Sequence, residues 1–587
     1  MRDQFLRGLV LGGAAAALVT EGLSPFHLLN RWTLGAFWLA MLALAVWRVW
    51  GRPLPGGRGS VSGFVLWLIA AAIAAIAACV GLTAVLAPPN SADAMAYHMP
   101  RVVYWAQAGS VAFFPTPYFN QVMLGPMAEY LDLHSYLISG GDHFINLLTF
   151  GAWLASIVVV SALAGAMGIG RLGQWLAALF CATLPGGILQ ASGAKNDWLL
   201  TLWLLAAVYF AVERNAAFTG LTLGLALLTK ATGYLFVPAV LGVAWFWKDR
   251  WQTRAPAALW IVAGVLLLNT PQYVRNFRLS GLPLGYDAAQ GDGFFRWRNE
   301  HLGWRAAVSN VLRNGSEQLG ARSERWNRGL YGAVLRAHEA LGLDPQDPDT
   351  TWRWSRYEAP RNANHEANAN NRLHLLVLGV AFVWAAWCKE CRWIWYGAAL
   401  AAGFLLFCFY LKWQPFQARL ELPLFVLGAP LAGWLLERLR PRALTALVCL
   451  LLVSGARLPA ADNWTRPLKG PNSLFRTSRD SNYFADMGQW GNSTSYLEAV
   501  EAAAQSRCEL VGIDISENQL EYPFQALLRK RRPEVRFVHT GVGNAPGACA
   551  VLCLDCLGNQ KKMAMYAVYG EPKTIGRFLF YSGRASR

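Results

Sequence analysis

Charge is scarce in this chain. Only 15% of its 587 residues are Asp, Glu, Lys or Arg, against 55% hydrophobic. That balance excludes an ordinary soluble domain and indicates a multi-span membrane protein. Acids are scarcer than bases, 35 to 52, giving a net charge of +17. Nucleic-acid binding explains this excess poorly, because the bases gather in short connections between apolar runs. There they orient a membrane protein and meet anionic headgroups. The 27 tryptophans suit interfacial belts and, equally, packing in a large bundle.

At roughly 20 apolar residues per crossing, about thirteen spans are expected. They lie near 8–22, 29–47, 61–87, 143–167, 173–190, 198–212, 216–229, 232–247, 256–272, 373–388, 393–411, 421–436 and 443–458. Arg48, Arg52 and Arg58 follow the second span, and Lys248, Arg250 and Arg254 the eighth. Lys389 and Arg392 follow the tenth, and Arg438, Arg440 and Arg442 the twelfth. All are even-numbered connections, so the positive-inside rule assigns them, with an amino terminus carrying Arg2 and Arg7, to the cytoplasm. Loops 88–142 and 273–372 and the tail from 459 then lie outside. The first span could be a signal peptide, but Glu21-Gly22-Leu23 is a poor cleavage site and retention is expected.

Residues 1–458 form the expected membrane domain. In the first exterior loop, Met95, Met99, Val102, Val103 and Ala106 recur at helical spacing, predicting an amphipathic helix at the membrane surface. A second helix is expected around Met127 to Ile138. Segment 273–372 is either a folded cap or a mobile loop. From 459 to 587 a small α/β domain is expected, with strands at ELVGID, VRFVHTGV, GACAVLCL and RFLFYS and a helix at LEYPFQALLRKRR. That tail lacks Walker, dinucleotide-binding and G-x-S-x-G motifs. Its Cys508, Cys549, Cys553 and Cys556 favour disulfides of unassigned pairing over zinc. Cys388 and Cys391 form a CxxC with no second pair nearby.

Basic residues at the outer ends of spans need another explanation than orientation. They are Arg101, Lys195, Lys230, Arg275, Arg278, Lys412 and Arg419. Singly, each can snorkel to lipid phosphate or pair with a carboxylate. Together they suit a phosphate or pyrophosphate, since Arg offers a bidentate fork and Lys a mobile charge. Acids on the same face are Asp93, Glu129, Asp132, Asp142, Asp197 and Glu421. Asp93 sits in a loop one helical turn from Tyr97 and His98. Asp197 begins the sixth span, where an anion also has a purely structural rationale. Asp93 and His98 could share a divalent metal, but two ligands are too few to assign one, and no cofactor is assigned.

Ordered segments carry a family resemblance: D-x-x-x-Y-H-x-x-R-x-x-x-W from Asp93 to Trp105, YFNQVMLGPMAEYLDLH, and TLPGGILQASGAKNDW ending at Trp198. LTLGLALLTKATGYL, NTPQYVRNFRLSGLPLG and KWQPFQARLELPLF extend it over most of residues 88–436. The chain resembles bacterial family 39-type GT-C glycosyltransferases, the broad group of protein O-mannosyltransferases and the lipid A aminoarabinose transferase. The resemblance implies an α-helical multi-span GT-C fold and a sugar donor on a polyprenyl phosphate. It makes Asp93 the catalytic Asp of the first exterior loop and Asp197 a second acidic residue. Two departures stand out: Lys195 occupies a position where Gln is common, and two helices precede residue 61.

On this reading Asp93 is a general base at the outer face of a bacterial plasma membrane. Arg101, Lys195, Lys230, Arg275, Lys412 and Arg419 hold the donor phosphate. Tyr97, His98, Asn276 and Trp105 position substrates. The acceptor could be a lipid, a polysaccharide or a protein of the envelope. Rival readings are a lipid-linked glycan ligase or polymerase, a glycolipid transporter or flippase, and a non-catalytic assembly subunit. A transporter should show paired repeats and midplane charges, and neither is evident in the sequence.

Overall fold

The computed structural model describes residues 2–49, 63–247, 255–285, 297–361, 364–486, 493–515, 520–542 and 547–583. Arg52, Arg58, Lys248, Arg250 and Arg254 lie outside the described residues.

Apolar composition becomes helix wherever a long run lacks breakers. The bundle opens with α1 (Arg2–Leu23), α2 (Arg31–Val49) and α3 (Gly63–Leu86). In the first long connection come α4 (Met99–Ala108) and α5 (Met127–Ser139). Then follow α6 (Ile145–Ala166), α7 (Arg171–Ala182), α8 (Pro185–Gln190), α9 (Asp197–Val212), α10 (Ala216–Thr229), α11 (Gly233–Trp247) and α12 (Ala255–Ser280). The second long connection holds α13 (Trp304–Gln318) and α14 (Glu324–Ala340), before α15 (Arg372–Trp387), α16 (Cys391–Tyr410), α17 (Leu422–Arg438) and α18 (Arg442–Ala461). Among the described residues, 7 helices are long and apolar enough to cross a bilayer, and five shorter apolar helices accompany them.

The expected span at 173–190 is not one helix. Leu184 takes ψ 114° before Pro185, because the proline ring crowds a helical predecessor, and α7 breaks from α8 there. Elsewhere small residues allow close crossing: a Cβ on Gly264 would lie 2.5 Å from the Gly220 backbone, so α12 and α10 touch main chain to main chain.

Helix α4 also departs from expectation. Met99 through Trp105 are all buried, so it lies under its neighbours rather than along a membrane surface. The second expected helix is α5. The described residues of the second long connection from 297 onward form a folded cap: Leu411 bridges Arg298 and Trp413 bridges Thr351, fastening it to the end of α16.

The tail begins later than 459, because α18 runs to Ala461. Residues 462–486 fold back over the bundle, and a five-stranded sheet follows, with helices α19 (Ser493–Gln505), α20 (Tyr522–Arg531) and α21 (Gln560–Tyr566). Its strands are β1 (Leu510–Asp514), β2 (Arg536–His539), β3 (Ala550–Cys553), β4 (Lys573–Ile575) and β5 (Phe578–Tyr581), in the order β2-β1-β3-β5-β4. β1 runs parallel to β2 and β3, and β5 antiparallel to β3 and β4. Cys508–Cys549 and Cys553–Cys556 are disulfides; Cys388 and Cys391 are free.

Candidate active site

Chain reversal at each apolar helix puts the carboxyl ends of α1, α3, α10 and α12 and the amino ends of α9 and α17 at one end of the bundle. The two long connections, and the tail after α18, leave the bundle at that same end. Ionisable groups there sit at helix termini, where the apolar interior gives way to loop.

Helix α3 stops before Pro88-Pro89, and the next residues are held from several sides. Asn90 is fully buried and donates to the carbonyls of Thr465 (3.0 Å) and Asn482 (2.8 Å). The Ala92 amide donates to Asp486 Oδ2 at 2.9 Å. Asp93 follows, and a wide π turn over Ala94–His98 leads into α4.

The Asp93 carboxylate accepts a hydrogen bond from Arg419, and Lys195 Nζ stands 3.9 Å away. Burial would push this carboxyl up, but Arg419, Lys195 and His98 outweigh it and hold it well below the usual carboxylate range. A quarter of the side chain still reaches solvent. Lys195 forms an ion pair with Glu366 at 2.6 Å. Asp197, in the first turn of α9, accepts from Lys230 at 2.6 Å, and its field also reaches Arg419. Asp93, Asp197, Lys195, Lys230 and Arg419 therefore form one cluster. Tyr97 borders it; burial first, then Asp93, pushes its hydroxyl well above the ordinary value.

The other expected residues go elsewhere. His98 Nδ1 meets Glu129 at 2.7 Å, and Arg101 NH1 lies 3.5 Å from the same carboxylate. Arg101 also donates to the carbonyls of Val122 (2.6 Å) and Leu124 (2.9 Å), with Trp105 against its guanidinium. Arg101 is 0% and Trp105 1% exposed. Both are enclosed by protein, whereas a quarter of the Asp93 side chain reaches solvent. Arg275 forks onto Glu21 at 2.7 and 2.8 Å and onto the Tyr130 hydroxyl at 2.8 Å. Asn276 accepts from Gln272 and donates to the Pro283 carbonyl. Lys412 bonds Glu300 at 2.7 Å in the cap. Sequence reasoning missed Glu366, Arg466, Asn90 and Asp486 altogether. Glu366 is an isolated acid inside the Asn-rich NANHEANANN run, a faint signal at best.

Among the described residues, the group of three potential metal ligands is Asp514, Cys553 and Cys556, whose sulfurs form a disulfide. Asp93 and His98 are not part of such a group.

No protein-family model and no curated protein sequence matches the chain. Solved structures similar to it include ArnT from Cupriavidus metallidurans bound to undecaprenyl phosphate, at 14% identity and TM-score 0.48, covering 90% of this chain and 99% of that one. The apo state of the same protein gives 14% identity and TM-score 0.49 over 89% and 99%. The apo oligosaccharyltransferase of Archaeoglobus fulgidus gives 12% identity and TM-score 0.46 over 86% of this chain and 72% of that one.

Proposed function

We propose that this chain is a GT-C-type membrane glycosyltransferase that moves a sugar from a polyprenyl-phosphate donor to an envelope acceptor at the outer face of the plasma membrane. The observation that supports this best is the cluster around Asp93: a solvent-reaching carboxylate with three cations, at the end of an apolar bundle. An amphiphile seated there has its tail in lipid and its phosphate among Lys195, Lys230 and Arg419.

In the reaction, the acceptor oxygen attacks the anomeric carbon while the bond from that carbon to the phosphate oxygen breaks. The phosphate leaves with the electron pair, and the acceptor proton passes to Asp93. Arg419, Lys195 and Lys230 stabilise the charge growing on the phosphate. A carboxylate held this far down is a weak base. A donor phosphate that draws Arg419 and Lys195 toward itself restores its basicity, so donor binding prepares the base. Asp197 holds Lys230, and Tyr97 borders the acceptor side. Arg275 and Asn276 shape the neighbouring wall through Glu21, Tyr130 and Gln272.

The test is mass spectrometry of envelope glycans and lipids from cells with the wild-type gene, a deletion, and Asp93→Asn at equal expression. A sugar-sized loss shared by the deletion and Asp93→Asn supports transfer and names the acceptor. A loss confined to the deletion removes Asp93 from the chemistry.

A further inference from the structure

Arg466, in the segment after α18, is fully buried, and each nitrogen of its guanidinium has a partner. Nε donates to Ser192 Oγ at 3.2 Å, NH1 to Asn90 Oδ1 at 2.9 Å, and NH2 to the Leu189 carbonyl at 3.1 Å. NH2 also bonds the Glu366 carboxylate, whose other oxygen lies 2.6 Å from Lys195 Nζ. Lys195 in turn faces Asp93 at 3.9 Å. Three remote stretches of chain thus place Arg466, Glu366 and Lys195 in a row ending at the candidate base. Gly193 eases the approach, since a Cβ there would lie 3.0 Å from Arg466 NH2 and 3.1 Å from NH1.

A carboxylate 1% exposed demands a compensating cation. With Arg466 in place, Glu366 is balanced from behind, and the row keeps one net positive charge at its Asp93 end. Without Arg466, Lys195 would be the cation that neutralises Glu366 and would be lost to any other anion. We infer that Arg466 is a positioning residue for phosphate recognition: by holding Glu366 from the tail side, it leaves the Lys195 ammonium available to a lipid-borne phosphate beside Asp93. This rests on the phosphate-donor reading above. It gives segment 462–486 a part in the site as well as in the fold.

The rival is a purely structural clamp, and a double mutant separates the two. The full-length protein in detergent is titrated with undecaprenyl phosphate, and binding is read from the rise in its unfolding midpoint. Lys195→Met and Arg466→Gln should each weaken binding about tenfold. Glu366→Gln should bind at least as well as wild type, and adding it to Arg466→Gln should restore affinity to within about twofold, because Lys195 is free again. A double mutant as weak as Arg466→Gln overturns the inference, as does an Arg466→Gln protein that binds like wild type while Lys195→Met does not. If Arg466→Gln does not fold, Arg466→Lys should bind within about threefold of wild type. A tenfold loss in folded Glu366→Gln would then sink the idea. A wild type that does not bind, or a Lys195→Met protein that binds unchanged, instead overturns the phosphate reading itself.

Discussion

Two groups of ionisable side chains lie at the same end of the bundle, and they are built differently. Around Arg101 the groups are enclosed: Arg101, His98 and Glu129 are at most 2% exposed, His98 meets Glu129 and Arg101 donates to backbone carbonyls, while Arg101 Nε and NH1 and Glu129 Oε2 make no hydrogen bond. Around Asp93 the charges are shared: Arg419 serves Asp93 and feels Asp197, Lys195 serves Glu366 and stands near Asp93, and a quarter of the Asp93 side chain meets water. On the proposed function the enclosed cluster holds the fold, since a ligand would have to break it open against its own desolvation cost. On the same reading the shared cluster exchanges one of its partners for a substrate phosphate. The same residue types thus do different work, according to whether a partner can be surrendered.

The comparison breaks most sharply at its two centres. Asp93→Asn should leave a folded protein and reduce transfer by about 10²–10⁴-fold in an assay with a lipid-linked donor, the range of a lost general base. Unchanged turnover would move Asp93 into the structural class. Arg101→Ala should do the reverse of a site mutation and cost about 3–5 kcal/mol of stability, seen as a lower unfolding midpoint, because buried Glu129 loses a cation. A folded Arg101→Ala protein with normal stability but weak donor binding would erase the distinction between the clusters.

A smaller effect comes from the tail where it meets the first loop. Gln121 Nε2 donates to Glu521 at 2.8 Å and to the Ala96 carbonyl at 3.0 Å, linking the tail to the turn after Asp93. Burial pushes the Glu521 carboxyl up to about 8, although Gln121 and Tyr104 oppose it, and burial pushes neighbouring His539 down to about 3. The native state therefore keeps the Glu521 proton where the unfolded chain, titrating near 4.5, has lost it. Between about 4.5 and 6.5 the unfolded chain also protonates His539, which offsets the Glu521 slope; above about 6.5 the Glu521 loss alone remains, and stability should fall as pH rises to about 8, by about 1.4 kcal/mol per pH unit. Glu521→Gln should flatten that slope in unfolding midpoints compared at pH 6 and pH 8. The least effect belongs to exposed pairs such as Lys530–Asp480, where Lys530→Ala should change stability by less than about 1 kcal/mol.

Much of the helical framework was legible because apolar runs of near-bilayer length leave few alternatives to helix. The break at Leu184 was also written locally, in Pro185, but an apolar sum over 173–190 hides it. α4 misled because its polar residues, Arg101 among them, are buried against partners from other segments, and spacing alone reads them as a wet face. In the tail, alternating and β-rich runs placed four strands and α20, whereas β4, only three residues long, and the short α21 carry too little pattern to stand out.

By itself the sequence determined that the chain is an apolar multi-helix protein with a small α/β tail, and that Asp93 follows a long apolar helix beside aromatic and basic residues. Those are properties of composition and of neighbours a few residues apart. Only the tertiary structure decided which charges meet: that Arg419, 326 residues from Asp93, is the cation on it, that Arg101 is sealed away, and that Arg466 stands behind Lys195 through Glu366. Ion pairing depends on through-space distance and on burial, and both are set by the packing of segments hundreds of residues apart.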